Sequence, residues 1–232
     1  MDLKNKIAVI SGVNKGIGKA LTEQLLEKGA IVVGWGMNKP EISNSNLHFF
    51  KTDIRDIAQV EKAFKSTTNL LGNEVHILIN NAGLGYFGFF EEMPPEIFRE
   101  IFEVNVFGIY NTGRYIIPVM KKMQNGHIVN ISSTAGKEGM AQTAAYCGSK
   151  HAVRGISESL YKELRDFGIK VTCVYPGSTK TDFFRNSPVI KPHDNMLMPE
   201  EVALQIIRAL ETSDNFLISD IEFRPLQPKP KK

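Results

Sequence analysis

Short apolar segments rich in β-branched residues alternate with longer amphipathic segments along the 232-residue chain, and this alternation is what most constrains the fold. Strands this apolar are typical of a parallel sheet that helices cover on both faces. Because crossovers between parallel strands are right-handed, we expect a doubly wound sheet with its crevice at the strands' carboxyl ends. The predicted strands are 7–10, 31–33, 47–50, 75–79, 128–131, 171–174 and 216–218, with 221–223 as an addition to the last.

Helical periodicity predicts five helices between these strands, at 17–27, 57–71, 95–123, 143–167 and 199–211. Pro118 is expected to kink the third of them, since proline removes a backbone donor. Two stretches lack periodicity: the loop 178–198, interpreted as a substrate lid, and the proline-containing tail 225–232, expected to be extended. With no internal repeat and no central linker, residues 1–232 are expected to form a single α/β domain.

Composition narrows the class of partner. A hydrophobic share of 42% is sufficient for a sizeable core, and a net charge of +3 with mixed signs does not indicate nucleic acid or an anionic membrane. The chain has no secretory segment and no apolar run long enough to span a bilayer, so a cytoplasmic protein is expected. Cys147 and Cys173 are expected to be free thiols, and neither the cysteines nor the five histidines have metal-ligand spacing, so no metal is predicted.

Three glycines follow the first predicted strand, in the spacing G-x-x-x-G-x-G from Gly12 through Gly16 to Gly18. Gly12 allows the tight bend, Gly16 lets the backbone approach a ligand, and Gly18 lets the next helix pack closely. The N–H groups at that helix start can then bind a diphosphate. The alternative is a glycine-rich turn without a ligand, but its place after strand one favours a dinucleotide.

The end of the second strand bears on which dinucleotide is bound. A carboxylate there would hold the ribose 2′-hydroxyl of NAD, whereas residues 34–39 contain none. Lys15 and Lys39 can each donate to a 2′-phosphate, although either lysine alone is commonly a solvated surface charge. The pair, together with the missing acid, favours NADP over NAD.

Two further strand ends carry polar residues suited to a nucleotide. Asp53 follows the third strand and can accept from an adenine amino group, or it can serve the start of the next helix. Asn81 follows the fourth strand, where its amide can bridge neighbouring strand ends and small residues leave room for a ribose.

A tyrosine and a lysine four residues apart, Tyr146 and Lys150, share one face of a predicted helix. The ammonium is expected to favour phenolate and so to help the phenol exchange protons. Ser133 ends the fifth strand at the same edge of the sheet, where a hydroxyl can polarise a carbonyl oxygen. Asn105 is an isolated polar residue in an apolar run. It is either locally hydrogen bonded or a link that holds water on a proton path to Lys150.

These motifs together resemble the short-chain dehydrogenase/reductase family of the compact, single-domain type. The resemblance covers residues 6 to about 224 and includes Tyr175-Pro176-Gly177 with Thr181. It implies a Rossmann fold and an NAD(P)-dependent oxidoreductase with a catalytic tetrad of Asn105, Ser133, Tyr146 and Lys150. Ser133, thirteen residues before the tyrosine, is preferred to Ser132. The stretch around Met37 resembles NADP-preferring members, although many of them carry arginine there.

By the same resemblance, the cofactor would be NADP(H), with NAD(H) the less favoured choice, and the two long helices would pair into a homodimer or homotetramer. The implied cofactor-binding residues are Gly12, Asn14, Lys15, Gly16, Ile17, Gly18, Met37, Asn38, Asp53, Ile54, Asn81, Ala82, Gly83, Tyr146, Lys150, Pro176, Gly177, Thr179 and Thr181.

The expected reaction interconverts a carbonyl and an alcohol by hydride transfer, on a small and mainly apolar substrate. Four aromatic or aliphatic residues of the lid either cover the substrate or belong to the core beneath it: Phe183, Phe184, Val189 and Ile190. The main alternative is an NADP-binding regulator without turnover, which would not need the complete tetrad. An epimerase or dehydratase would usually carry an additional substrate domain after the sheet.

Overall fold

The computed structural model describes residues 1–184 and 193–228. Seven parallel strands form one sheet: β1 (Ile7–Ser11), β2 (Ile31–Gly36), β3 (Leu47–Lys51), β4 (Ile77–Asn80), β5 (Gly126–Ile131), β6 (Ile169–Pro176) and β7 (Asp220–Phe223). The α-helices of the described residues are α1 (Gly16–Glu27), α2 (Ile57–Leu71), α3 (Pro95–Phe102), α4 (Gly108–Met123), α5 (Ala144–Leu164) and α6 (Pro199–Leu210).

The strand order is β3-β2-β1-β4-β5-β6-β7, and all six pairings are parallel. Chain order reverses between β1 and β4, which opens a crevice at the carboxyl ends of these two strands. The predicted α/β Rossmann fold with a doubly wound sheet of about seven strands is therefore confirmed.

Two apolar layers cover the sheet. On one face, α1 and α6 pack Leu21, Leu25 and Ile206 against strand residues such as Ile10. On the other, α2, α4 and α5 pack against the opposite side chains of the same strands, which include Val9, Leu78 and Ile128. Strands β1, β4, β5 and β6 are buried along their whole length, as their apolar sequences predict for a sheet covered on both faces.

The prediction of a strand at 216–218 is wrong. The Phe216 N–H donates to the carbonyl oxygen of Ser213 at 2.9 Å, which closes a turn, and the Phe216 side chain is 57% exposed. Pairing with β6 begins only at Asp220 and forms the edge strand β7, which includes the predicted 221–223 segment. Three consecutive apolar residues do not form a strand here, because the backbone turns before it reaches the neighbouring strand β6.

The helix predicted over 95–123 follows that course, but its hydrogen-bonding pattern changes in the middle. Residues Glu103–Phe107 form a π-helical turn between α3 and α4. Such single wide turns are rare and are frequently found at functional sites. This turn carries Asn105, the polar residue that is out of place in the apolar sequence.

Parts of two predictions lie outside the described residues. The lid predicted over 178–198 is described only up to Phe184 and again from His193, so Val189 and Ile190 are not covered. The tail predicted over 225–232 is described to 228. No helix among the described residues is long and apolar enough to cross a membrane.

Candidate active site

A cavity of about 830 Å³ lies at the carboxyl edge of the sheet, over the crevice between β1 and β4. Of the predicted site residues, all but Gly18 and Asn105 line it. The predicted cofactor residues follow one wall from the glycine turn at 12–16 to Lys150, and Tyr146 stands near the far end. This volume is within the range of cavities that bind small molecules and cofactors.

The glycine turn is built as its spacing predicts. Gly12 and Gly16 have φ values of 75° and 56°, which favour glycine. At Gly18, a Cβ would lie 2.1 Å from the Gly12 carbonyl oxygen and 2.4 Å from the Asn81 amide nitrogen. Any side chain at Gly18 would therefore force α1 away from the turn.

Asn81 joins the ends of β1 and β4, as predicted. Its amide nitrogen donates to the carbonyl oxygens of Ser11 and Gly12 at 3.1 and 2.9 Å. In return, the Ser11 hydroxyl oxygen accepts from the backbone N–H groups of Asn81 and Ala82. The sequence analysis did not predict this role of Ser11. The available signal was a polar residue at the end of an apolar strand.

The first turn of α1 faces the cavity. Its N-cap residue, Lys15, makes no side-chain capping hydrogen bond, and the turn has no acidic residue. Thr181 lies over the turn, since a Cβ at Gly16 would be 3.1 Å from the Thr181 methyl carbon. Backbone N–H groups and a hydroxyl-bearing residue thus surround one spot, which suits a diphosphate.

Met37 and Asn38, which follow β2, line the cavity together with Lys15 of the glycine turn, and Gly36 lies against that turn. Lys39, the second lysine considered for a 2′-phosphate, is exposed and lies outside the lining residues. Lys15 is therefore the one of the two predicted lysines that lines the cavity.

Asp53 lines the cavity, but its carboxylate is already engaged. Arg55 donates to both oxygens, with the closest approach of 2.7 Å from Nη2 to Oδ2, and also reaches Glu100 of α3 at 2.8 Å. The hydrogen bonds from the Arg55 side chain lower the pKa of Asp53. The alternative helix-start role belongs to Asp56, which accepts from Ala58 and Gln59. Arg55 and Glu100 were not predicted, because their partners are set by tertiary structure.

Asn105 is buried in the π-helical turn and is fully hydrogen bonded. Its carbonyl oxygen accepts from the Leu84 N–H and its amide nitrogen donates to the Leu84 carbonyl oxygen, both at 2.8 Å. The same nitrogen donates to the Ser149 hydroxyl at 2.9 Å. One side chain thus fixes the loop after β4 to the helix that carries Tyr146 and Lys150, so Asn105 is neither exposed nor bonded only to its own helix, and its part in a proton path stays a prediction.

Asn105 nevertheless lies near Lys150. A Cβ on Gly83 would be 3.5 Å from the Asn105 carboxamide oxygen and 3.6 Å from the Lys150 ammonium nitrogen. The Lys150 Nζ donates to the Ile131 carbonyl oxygen at 2.8 Å, and the residue is 4% exposed. Burial lowers the pKa of Lys150 to about 8.

Tyr146 is buried beside Lys150, whose Nζ is 5.8 Å from the centre of the phenol ring. Burial raises the pKa of Tyr146 to about 12, and a hydrogen bond with Ser133 opposes this rise. The expectation that the ammonium makes the phenol easier to ionise therefore stays a prediction, because burial is the largest influence on this pKa and Lys150 is not among its causes. The phenol is held protonated at neutral pH and can act as a proton donor.

The two adjacent serines have different environments. The Ser132 hydroxyl donates to the Lys150 carbonyl oxygen at 2.9 Å, inside the core. The Ser133 hydroxyl accepts from the Ala135 N–H at 3.2 Å and contacts Tyr146 at the cavity. Ser133 is thus the serine that can share a ligand atom with the phenol, as its spacing suggested.

Aromatic rings close the cavity beyond Tyr146. Phe183 and Phe87 lie 5.4 and 6.3 Å from Tyr146, measured between ring centres. Phe183 packs against the small apolar cluster that includes Tyr146 and also lines the cavity, so its role as a cover for the substrate stays a prediction. Phe87 was not predicted, because its loop has no periodicity from which its burial could be inferred.

Comparison with known proteins identifies the family of this chain. The family model for short chain dehydrogenase matches residues 6–189. The chain belongs to the short-chain dehydrogenase/reductase family of oxidoreductases. A 3alpha-hydroxysteroid dehydrogenase from Mediterraneibacter gnavus is 34% identical over 206 residues, which cover 83% of this chain and 82% of that protein.

Two solved structures share the fold and differ in cofactor. A short chain dehydrogenase from Burkholderia cenocepacia in complex with NADP is 28% identical, with a TM-score of 0.84 over 97% of this chain and 90% of that one. A 3-ketoacyl-(acyl-carrier-protein) reductase from Brucella melitensis complexed with NADH is 25% identical, with a TM-score of 0.87 over 98% and 100%. Similarity to relatives therefore does not by itself decide between the two dinucleotides.

Proposed function

We propose that this protein is an NADP(H)-dependent oxidoreductase that interconverts a carbonyl compound and an alcohol. The observation that carries the proposal is the buried pair of Tyr146 and Lys150, which lines the cavity together with Ser133. A proton donor and a second hydroxyl at one point are what a reacting carbonyl oxygen requires.

The residues present fit a dinucleotide. The turn at Gly12 and Gly16, the open first turn of α1 and Thr181 would hold the diphosphate, and the residues at 81–83 would lie along the inner ribose. Asp53 and Ile54 would contact the adenine, and Pro176, Gly177 and Thr179 the nicotinamide end. When bound, the nicotinamide supplies or accepts the hydride.

In the direction of carbonyl reduction, Ser133 orients and polarises the carbonyl oxygen while Tyr146 gives it a proton. The raised pKa of the phenol, about 12, keeps that proton in place until it is needed. Lys150 holds a positive charge beside the phenolate that remains, and its own pKa of about 8 lets it pass a proton on. Asn105 is proposed as the fourth member, which fixes the loop after β4 beside Lys150.

NADP is proposed over NAD on two grounds. The 34–39 segment after β2 has no carboxylate to repel a 2′-phosphate, and Lys15 of the adjacent glycine turn lines the cavity. A lysine at that position can bind the phosphate as a point charge. Measured rates with NADPH and NADH on one substrate decide this part of the proposal.

The experiment that tests the reaction is NADPH and NADH oxidation against aldehydes, ketones, diketones and 3-oxoacyl thioesters. Tyr146→Phe should lower kcat by about a hundredfold or more while NADPH still binds, because only the transferable proton is lost. Tyr115→Phe is the matched control, since the Tyr115 hydroxyl contacts Glu61 of α2 and does not line the cavity.

Substantial turnover by Tyr146→Phe would refute the role of the phenol. If neither dinucleotide is consumed with any substrate of the panel, while NADPH binds, the regulator without turnover replaces the enzyme. The complete set of Ser133, Tyr146 and Lys150 at the cavity favours the enzyme.

A further inference from the structure

Three aromatic rings contact one another at the end of the cavity that lies beyond the reacting hydroxyl. The ring centres of Phe87 and Phe183 are 6.3 Å apart at an interplanar angle of 88°, and both rings also contact Tyr146. Separations of this kind are the favourable edge-to-face and tilted arrangements of aromatic pairs. The three rings come from three separate segments, the loop after β4, the helix α5 and the segment after β6.

Gly85 makes room for the Phe183 ring. A Cβ at Gly85 would lie 2.4 Å from the Phe183 Cζ and 2.8 Å from its Cε1. Gly85 does not have a positive φ, so the backbone itself would accept alanine. The glycine therefore matters for the space it leaves, and the ring lies directly against the backbone of the opposite loop.

The remaining walls of this end of the cavity are mostly apolar. They are formed by Leu84, Ile97 and Met140, with Tyr86 packed beside them. Asp182, next to Phe183, is exposed and lines the cavity with its negative charge. An anionic substrate approaching past this carboxylate would be repelled, whereas an uncharged one would not.

We propose that Phe183 sets the size of the substrate by its contact with Gly85, and that the substrate is a small, uncharged carbonyl compound with a flat apolar group. The proposal builds on the proposed function, because it names the substrate class of that site. The carbonyl oxygen binds at Ser133 and Tyr146, and the apolar group lies against the rings of Phe87 and Phe183. A larger group would meet the Phe183 ring, which Gly85 holds close to the opposite wall.

The test uses NADPH-dependent reduction of acetophenone and 2-acetylnaphthalene, which differ by one fused ring. Phe183→Ala should raise the ratio of kcat/KM for the naphthyl over the phenyl ketone by about tenfold or more, since pocket contacts of this size discriminate by that order. Phe216→Ala, a substitution of an exposed phenylalanine in the turn before β7, should leave the ratio unchanged.

Gly85→Ala tests the contact itself. In the wild-type background its methyl group displaces the Phe183 ring, and kcat/KM for acetophenone should fall by about tenfold. In the Phe183→Ala background the same substitution has no ring to meet, so its effect should vanish. Equal effects in both backgrounds, or an unchanged ratio in Phe183→Ala, would overturn the proposal and leave carbonyl reduction standing.

A measurement of ligand binding distinguishes failure of this proposal from failure of the proposed function. If the wild-type protein reduces no ketone, saturation-transfer NMR with acetophenone and benzoate reports on the site directly. Acetophenone binding that exceeds benzoate binding and changes in Phe183→Ala would support the apolar site although the reaction is absent. Equal or absent binding of the two probes would overturn it.

Discussion

Lys150 carries an ammonium group in the interior of the protein, where one carbonyl oxygen, that of Ile131, accepts from it. Removing a charge from water costs free energy, and this cost is what lowers the pKa of Lys150 from 10.5 to about 8. The residue is therefore placed for chemistry and not for stability. Between pH 8 and 10.5 the unfolded chain binds the proton and the folded one does not, so stability should rise with pH.

We expect this to be measurable in urea unfolding at pH 7.5 and pH 10, without added dinucleotide. From the size of the pKa shift, Lys150 should contribute a gain on the order of 3 kcal/mol as pH rises through this interval. Lys150→Met has no proton to lose, so its unfolding free energy should be higher than wild type at pH 7.5 and rise less with pH. Parallel pH dependence in both proteins would contradict a buried, strained ammonium.

At the residue scale, the sequence predicted which residues lie close together, but it did not predict how burial by other segments changes their pKa values. Tyr146 and Lys150 belong to one helix, so the sequence spacing alone was sufficient to predict that they lie on the same face. The pKa of Tyr146 depends on burial by Phe87 and Phe183, which belong to other segments. The pairing of Arg55 with Asp53 and Glu100 escaped prediction for the same reason, since α3 is brought there only by the fold.

At the element scale, the approach of α1 to the sheet depends on a single missing side chain. Gly18→Ala would place a methyl carbon 2.1 Å from the Gly12 carbonyl oxygen, so the helix must shift. We expect a loss of about 1–3 kcal/mol of stability, the usual cost of overpacking, and weaker NADPH binding. Thermal unfolding and NADPH titration measure the two effects.

Gly155→Ala is the matched control within α5, since a Cβ there meets nothing within 4 Å in the described part of the chain. Alanine is the better helix former, so this variant should gain about 0.5–1 kcal/mol and bind NADPH as the wild type does. Similar losses in both variants would show that any glycine in a helix matters equally and would contradict the packing explanation.

Element positions were predicted well where periodicity is strong and poorly where the backbone itself decides. The segment 95–123 was predicted as one helix with a kink at Pro118, yet the turn around Asn105 is π-helical. The signal was present as a polar residue in an apolar run, but the altered hydrogen-bonding pattern leaves no mark on hydrophobic spacing. The strand placed at 216–218 failed because apolar character alone does not show where a turn closes.

At the scale of the whole molecule, the π-helical turn and the start of α4 present apolar side chains that the described residues leave exposed. Phe107 and Tyr110 are 50% and 55% exposed and, with Arg114, lie on one face of the helix. We propose that this face forms part of the interface of a homodimer or homotetramer. A closed two-fold pairing would bury both aromatic rings.

We therefore expect light scattering after size exclusion to give two or four times the 25.9 kDa of one chain. Phe107→Asp should reduce that mass, because a carboxylate replaces an apolar side chain that the pairing would bury. Leu70→Asp is the control, since Leu70 is equally exposed at 52% but lies on α2. A monomer in the wild type, or an unchanged mass in Phe107→Asp, would contradict this interface.

The two walls of the catalytic cavity are fixed by different means. Asn105 holds both backbone groups of Leu84 and the Ser149 hydroxyl, so the wall that carries the proton-transfer residues is tied into the core. The facing wall is the segment of Phe183, whose ring contacts those of Tyr146 and Phe87. Substitutions in that segment can alter which molecules are accepted while the hydrogen bonds of Asn105 stay in place, and at Phe183 they also change the burial of Tyr146. Such a division favours the evolution of new substrate ranges, because a few substitutions in the aromatic wall can change the accepted substrate while the hydrogen-bonded wall is kept.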